Sequence, residues 1–283
     1  MKKMILYQVR THLLDKVMFG LIIGQFFEGH LLNIEGEKWK RLREKLTPTF
    51  TSGKIKTMVP TIVEVAERLK ISLTKTIESN PEPEIKDILA RFTTDIIGSC
   101  AFGIECNSLE DPEARFLEMG LKVFQQPRNS FIKQIICVTY PNFGRKMGIK
   151  LVRDDVSEFF MKVVRDVVEY REKNNIKRND FMDLLLQLKN EGRLNDDNKS
   201  DKKMEKLTLE EIAAQVFVFF LAGFETSSTT MTFCLHELSL NQEIQEKARQ
   251  NVLDALEKHD GKITYESIAD MNYLELCVNG NWL

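Results

Sequence analysis

The chain has 283 residues, of which 40 are basic and 42 acidic, for a formal net charge of -2; no global positive field is available to gather a nucleic acid, and a nucleic-acid partner is not expected. Apolar residues make up 43% of it and charged residues 29%, enough to bury a substantial core without metals or disulfides as staples. The five cysteines, Cys100, Cys106, Cys137, Cys234 and Cys277, form no CxxC pair and no metal-finger spacing, and their odd number speaks against a closed disulfide framework, so they read as reduced, mostly buried thiols.

Taken in chain order, the apolar run Val17 to Gly24 is too short and interrupted to span a bilayer, and Arg10, Asp15 and Lys16 break the only place where a leader's apolar core could sit. No anchor or cleavable leader is expected there, and the product reads as soluble or peripheral. Val59, Ile62, Val63, Ala66, Leu69 and Leu73 recur at three-to-four spacing, which predicts a core-facing helix ended by Pro81 to Pro83. Asp111 and Pro112 predict an N-cap followed by proline at the first helical position, so that a helix starts there. Pro141 to Gly148 reads as a turn-rich connector, Leu151 to Asn174 as a long charged amphipathic helix, and Asp180 to Lys189 as a shorter one with Leu184, Leu185 and Leu188 on its apolar face. Almost nothing alternates at period two, so the class is mainly α.

Glu191 to Lys206 is rich in Asn, Asp, Lys and Gly and predicts a solvated loop. Thr208 and Glu211 then form a capping box, in which each side chain serves a backbone amide at the other residue. From Leu209 to about Leu240 the sequence is apolar on nearly every face, which predicts a central helix on the order of 45 Å long. No repeat and no proline- or glycine-rich linker divides the chain.

Two constellations carry chemistry. Ala222-Gly223-Phe224-Glu225-Thr226 sets a carboxylate and a hydroxyl in the apolar central helix, where an unpaired charge is costly. The small Ala222 and Gly223 would let a flat ligand approach the backbone, and Thr226 can bond back to a carbonyl and loosen the helix. The same segment also suits a helix–helix contact through small residues with a capped glutamate; both readings stay open. Earlier, Trp39 and Arg43 stand at i and i+4 and share one helical face. Together they suit a buried carboxylate, the guanidinium as a fork of donors and the indole as one more. A solvated basic helix with one anchoring aromatic fits that segment as well, and Lys38, Lys40, Arg41 and Lys45 agree with it.

The two patterns together, WxxxR before AGxET, resemble the cytochrome P450 family, in both order and separation. The resemblance runs from His30 to Val278 and is closest in EGEKWKRLREKLTPTFTSGKIK, in FFLAGFETSS and in MNYLEL, with AFGIEC, DFMDLLLQL and NQEIQEKARQNV in the expected order. It is nearest to the microsomal, xenobiotic-metabolising enzymes of insects and vertebrates. It implies a partial P450 fold, from about helix C to helix J with a long central I helix, and a division into an atypical segment 1–29 and a partial haem domain 30–283. It further implies that Trp39 and Arg43 contact a haem propionate, that Ala222 and Gly223 lie over the distal haem face, and that Glu225 and Thr226 handle protons during dioxygen activation. Lys38, Lys40, Arg41 and Lys45 would help meet an acidic partner, the flavin-containing NADPH–cytochrome P450 reductase, and a small apolar molecule would be the substrate. The implied location is the cytosolic face of the endoplasmic reticulum membrane.

The family's iron ligand is a cysteine thiolate in an FxxGxRxC loop preceded by an ExxR helix, and neither pattern occurs in the sequence. No cysteine is assigned to the iron; Cys277, in an apolar helical pattern with Leu274 and Val278, reads as a core thiol. The expectation is therefore a chain shortened at both ends, lacking the haem-ligand region and of low activity. Competing readings are a non-catalytic helical remnant that binds a partner, and a metal-dependent prenyl diphosphate enzyme in which Asp154, Asp155 and Glu158 hold Mg²⁺. Outside the P450 resemblance no metal ligand is assigned, and Asp154, Asp155 and Glu158 more simply form a solvated helix face. Phe102, Phe116 and Phe217 to Phe220, as generic apolar candidates for the distal pocket, do not specify a substrate.

Overall fold

The computed structural model describes residues 34–126, 128–130, 152–192 and 206–280, with Leu31, Leu194 and scattered positions between 133 and 150. The segment 1–29, most of the connector at Pro141 to Gly148, most of the loop Glu191 to Lys206, and Cys137 lie outside them. Among the described residues all regular structure is helical: α1 (Gly36–Leu46), a 3₁₀ turn (Thr47–Phe50), α2 (Ser52–Ser79), α3 (Ile85–Ile97) continuing into a π-helical turn (Gly98–Phe102), α4 (Arg115–Gln125), α5 (Asp154–Asn174), α6 (Phe181–Asn190), α7 (Leu209–Leu240), α8 (Gln242–Lys258), α9 (Tyr265–Ala269) and α10 (Asn272–Asn279). The mainly α class is what the three-to-four spacing dictates.

Most boundaries follow local chemistry. At α7 the capping box closes as its sequence requires: Thr208 N donates to Glu211 Oε2 at 2.9 Å and Glu211 N donates to Thr208 Oγ1 at 3.1 Å. Asp180 caps the start of α6, accepting from Asp183 N at 2.9 Å. The start expected at Asp111 and Pro112 is displaced, because α4 begins at Arg115. Asp111 caps a tight turn instead of a helix: its Oδ1 takes Glu113 N at 2.9 Å, while its carbonyl takes Ala114 N at 3.2 Å and the Arg91 guanidinium at 3.2 Å.

The chain divides into two compact units. The first comprises 1–48, 118–176 and 184–221. Its core holds Phe160, Phe217 and Phe220, all buried, with ring centroids 4.9 Å apart for Phe160 and Phe217 and 5.0 Å for Phe160 and Phe220. The edge-to-face and tilted arrangements suit aromatic quadrupoles. Gly120 of α4 lies against this cluster; a Cβ there would stand 2.5 Å from Phe220 Cζ. Its lack of a side chain is thus a packing requirement.

The second unit comprises 49–117, 177–183 and 222–283. Here α2 and α3 pack through Val65, Leu89, Phe92 and Leu109, with Ala66, Leu69, Ile96 and Met231 around them. Beneath them Asp95, fully buried, accepts Ser108 N at 2.7 Å and Leu109 N at 3.3 Å, and the Arg68 guanidinium stands 3.6 Å away. A buried carboxylate is tolerable only with such partners. The π-helical turn ends at Gly103, whose φ of +69° belongs to the left-handed region and whose amide reaches back to Gly98 O. At Gly98 itself a Cβ would meet Cys106 Sγ at 2.2 Å. A further cluster joins Leu238, Ala248 and Cys277 with Cys234, Ile244 and Tyr273, and Asn251 Oδ1 accepts Tyr273 N at 3.1 Å, so that α8 seats the start of α10. Cys277 is a core thiol here, as its apolar surroundings in the sequence suggested.

By length and composition α7 is apolar enough to cross a membrane, and most of its apolar stretch is buried within the protein. Replacing Gly120 with alanine is expected to destabilise the first unit by about 1–3 kcal/mol, because the fully buried Phe220 ring must shift; chemical denaturation of the variant against the parent chain measures it.

Candidate functional site

The sequence places its candidates on two helices. On α1, Leu42 and Leu46 are buried while Trp39 and Arg43 both face solvent. Their i, i+4 spacing brings the Arg43 guanidinium over the Trp39 indole, 5.2 Å from the ring centroid. The pair is therefore a stacked cation and aromatic on one accessible face, an arrangement that offers both donors to an anion without burying either. Arg41 pairs with Glu37 at 3.5 Å on the same helix, with both side chains largely exposed.

On α7 the segment Ala222 to Thr226 belongs to the second unit, and α1 to the first. The Thr226 hydroxyl donates to the Ala222 carbonyl, the back-bond expected of a threonine in this position, and Thr226 is exposed. Gly223 meets α3: a Cβ there would lie 2.8 Å from Ile97 Cδ1 and 3.2 Å from Ile97 Cγ1. The glycine thus gives α3 its close approach, while Ala222 and Thr226, one turn apart, share an accessible side of the helix. Thr93 of α3 strengthens the approach, its hydroxyl lying 3.2 Å from the Phe224 carbonyl.

Glu225 has a partner that sequence reasoning missed. Lys86 Nζ lies 2.7 Å from Glu225 Oε1 and also donates to Thr229 Oγ1, while the Thr229 hydroxyl lies 3.2 Å from the same carboxylate oxygen. The cost of a charge in an apolar helix, read from the sequence, is offset by an ammonium from the first turn of α3. The readable signal was a single lysine in the first turn of the amphipathic segment Ile85–Ile97. Glu225 and Thr226, although adjacent in sequence, are bonded to different groups and do not meet each other.

The remaining candidates have other duties. Phe102 and Phe116 pack edge to face at 5.0 Å in the second unit, and Phe217 and Phe220 lie in the aromatic core of the first. Asp154 is held well below the usual carboxylate range by hydrogen bonds from Lys150 and Arg128, and Asp155 likewise by Arg153. Cations of the same chain thus pair with Asp154 and Asp155, two of the three carboxylates that the Mg²⁺ reading needs.

A haem group asks three things of these residues. The outward indole and guanidinium on α1 suit an anionic edge, and the low relief at Ala222 suits a flat face. An axial thiolate is a different matter: burial pushes the Cys100 thiol up to about 11, and pushes Cys106, Cys234 and Cys277 up as well. Cys277, packed in the cluster with Leu238 and Ala248, and Cys106, whose sulfur lies against Gly98, are turned to protein neighbours.

A family model described as Cytochrome P450 matches residues 12–279, beginning ahead of His30, where the motif-level resemblance starts. The chain is 45% identical over 266 residues to Cytochrome P450 6a2 of Drosophila melanogaster, covering 90% of this chain and 52% of that protein. It is 47% identical over 252 residues to Cytochrome P450 6A1 of Musca domestica, covering 89% and 48%, and 44% identical over 278 residues to Cytochrome P450 6a9 of Drosophila melanogaster, covering 98% and 54%. The chain thus spans about half the length of the curated relatives it matches.

With a thiol at about 11, Cys100 is expected to alkylate roughly tenfold faster for each unit of pH between 7 and 10, without a plateau, since only the thiolate reacts. Iodoacetamide labelling followed by peptide mass spectrometry checks this; a plateau below pH 9 would show a more acidic thiol.

Proposed function

The chain belongs to the cytochrome P450 family, and from that premise we propose that it serves haem-dependent monooxygenation, in which one oxygen atom of dioxygen enters a small apolar molecule with electrons drawn from NADPH. The observation that carries this reading is the family match across nearly the whole chain, with Trp39, Arg43 and the Ala222 to Thr226 segment as the chemistry-bearing residues within it. Haem, when bound, supplies the activation of dioxygen. Trp39 and Arg43 would hold its propionate edge through their donors, and Ala222, with Gly223 beneath it, would give the close approach to its distal face.

Glu225 and Thr226 are the groups proposed to hold and move protons. The Thr226 hydroxyl proton is given to the Ala222 carbonyl, which leaves the hydroxyl oxygen to accept from a water or a neighbouring group. The exposed basic residues of α1, Lys38, Lys40 and Arg41, with Lys45, are proposed to meet the NADPH–cytochrome P450 reductase through charge complementarity. Residence at the cytosolic face of the endoplasmic reticulum membrane follows from the same family reading.

A second reading, a non-catalytic helical chain, is favoured by one specific observation: none of the four described cysteines is exposed, and Cys277 is buried in a core cluster. Haemin titrated into the full chain, then reduced and exposed to carbon monoxide, separates the two. A saturable Soret band at the long wavelength of a thiolate-ligated haem supports the enzyme reading, and a saturable band at the shorter wavelength of other ligation supports the second. In either case Arg43→Leu is expected to weaken haem binding about tenfold, the loss of one charge-assisted contact. Absence of any saturable band would overturn the assignment of a haem site to this chain.

A further inference from the structure

The ring formed by Lys86, Glu225 and Thr229 is built from α3 and from the part of α7 that belongs to the second unit. Positions 225 and 229 stand one turn apart and share a face of α7, whereas position 226 lies about 100° further round the helix. On the shared face the carboxylate Oε1 takes both Lys86 Nζ, at 2.7 Å, and the Thr229 hydroxyl, at 3.2 Å, and Lys86 also donates to Thr229. Lys86 is itself held in place: its backbone amide donates to the Glu84 side chain at the N-cap of α3, 3.3 Å away, and Thr93 and Ile97 further along α3 lie against Phe224 and Gly223. The side chains of Lys86 and Glu225 are 34% and 35% exposed, so the pair is neither sealed from water nor left loose in it.

We propose that Lys86 is a positioning residue for Glu225: it holds the carboxylate on the α3 side of α7, away from the Thr226 hydroxyl, with Thr229 bracing the arrangement. The inference rests on the reading of Glu225 and Thr226 as proton-handling groups. It adds that the two do not work as a directly bonded pair while Lys86 is in place. A lysine offers three donors on a flexible stem, so it can bind Glu225 and Thr229 together, and an arginine at the same position can replace the charge and the bond to Glu225.

Carbodiimide chemistry on the full chain tests this without haem, so its failure is distinct from failure of the haem titration. Activation of the Glu225 carboxyl beside the Lys86 amine is expected to yield an isopeptide between them, detected by mass spectrometry of the digested chain. In the presence of a small competing amine, Lys86→Met is expected to raise amidation of Glu225 about fivefold relative to exposed Glu243, the upper range for a partly exposed ion pair. Lys86→Arg, which restores the charge but whose guanidinium is not acylated, is expected to bring it back down about fivefold. Absence of the isopeptide, unchanged amidation in Lys86→Met, or a rise that arginine does not reverse would each overturn the proposal. If Lys86→Met loses its helical circular dichroism, the isopeptide and the arginine variant decide the matter.

Discussion

The arrangement of the candidate chemistry on α7 depends on how closely α3 approaches it. That approach is possible because position 223 has no side chain, which lets the Ile97 side chain reach the backbone of α7, and because the Thr93 hydroxyl bonds a carbonyl on the facing turn. Interhelical spacing is ordinarily set by the side chains at the contact. Here the contact residue is a glycine, and in the same packing a lysine from the first turn of α3 reaches a glutamate on α7. The same glycine thus has a structural role, whatever ligand lies on the other side of the helix.

A second node steadies α3 from its other end. Asp95 is buried and bound by two backbone amides of the following loop, with Arg68 of α2 nearby. Losing one partner of such a charge is far costlier than the pair is worth by itself. The loop after the π-helical turn is therefore tied to the same helix that carries Lys86, and α2, α3 and this loop pack around one apolar cluster. The arrangement is not fully satisfied: Arg68 Nε and Ser108 Oγ are buried without a hydrogen-bond partner, a local cost beside the benefit of the carboxylate.

Much of this was legible in the sequence, and the exceptions have physical causes. The helical class, the capping box at Thr208 and Glu211 and the extent of α7 follow from periodicity and from short-range hydrogen bonding, which sequence records directly. The back-bond of Thr226 was legible for the same reason, since it reaches only four residues. Asp111 misled because aspartate caps turns as readily as helices, and the choice was made by Arg91, twenty residues away, taking the carbonyl. The partner of Glu225 stayed hidden because Lys86 lies 139 positions earlier; the cost of the carboxylate announced that a partner was needed, but not which one. The two meanings of Ala222 and Gly223, groove or helix contact, were not separable from composition. The structure shows the helix contact at the glycine, where Ile97 of α3 comes against position 223.

The π-helical turn at the end of α3 bears on how the protein tolerates change. Such a turn holds more residues than an α-helical one of similar span, so it acts as a phase shift in the helix. Before it, Lys86, Thr93 and Ile97 are indexed to α7; Phe102, the last residue of the turn, is indexed to a different surface, where it packs edge-on against Phe116. A shift of this kind uncouples the two indexings. Repacking around Phe102 can proceed without rotating the face that carries Lys86 and Thr93.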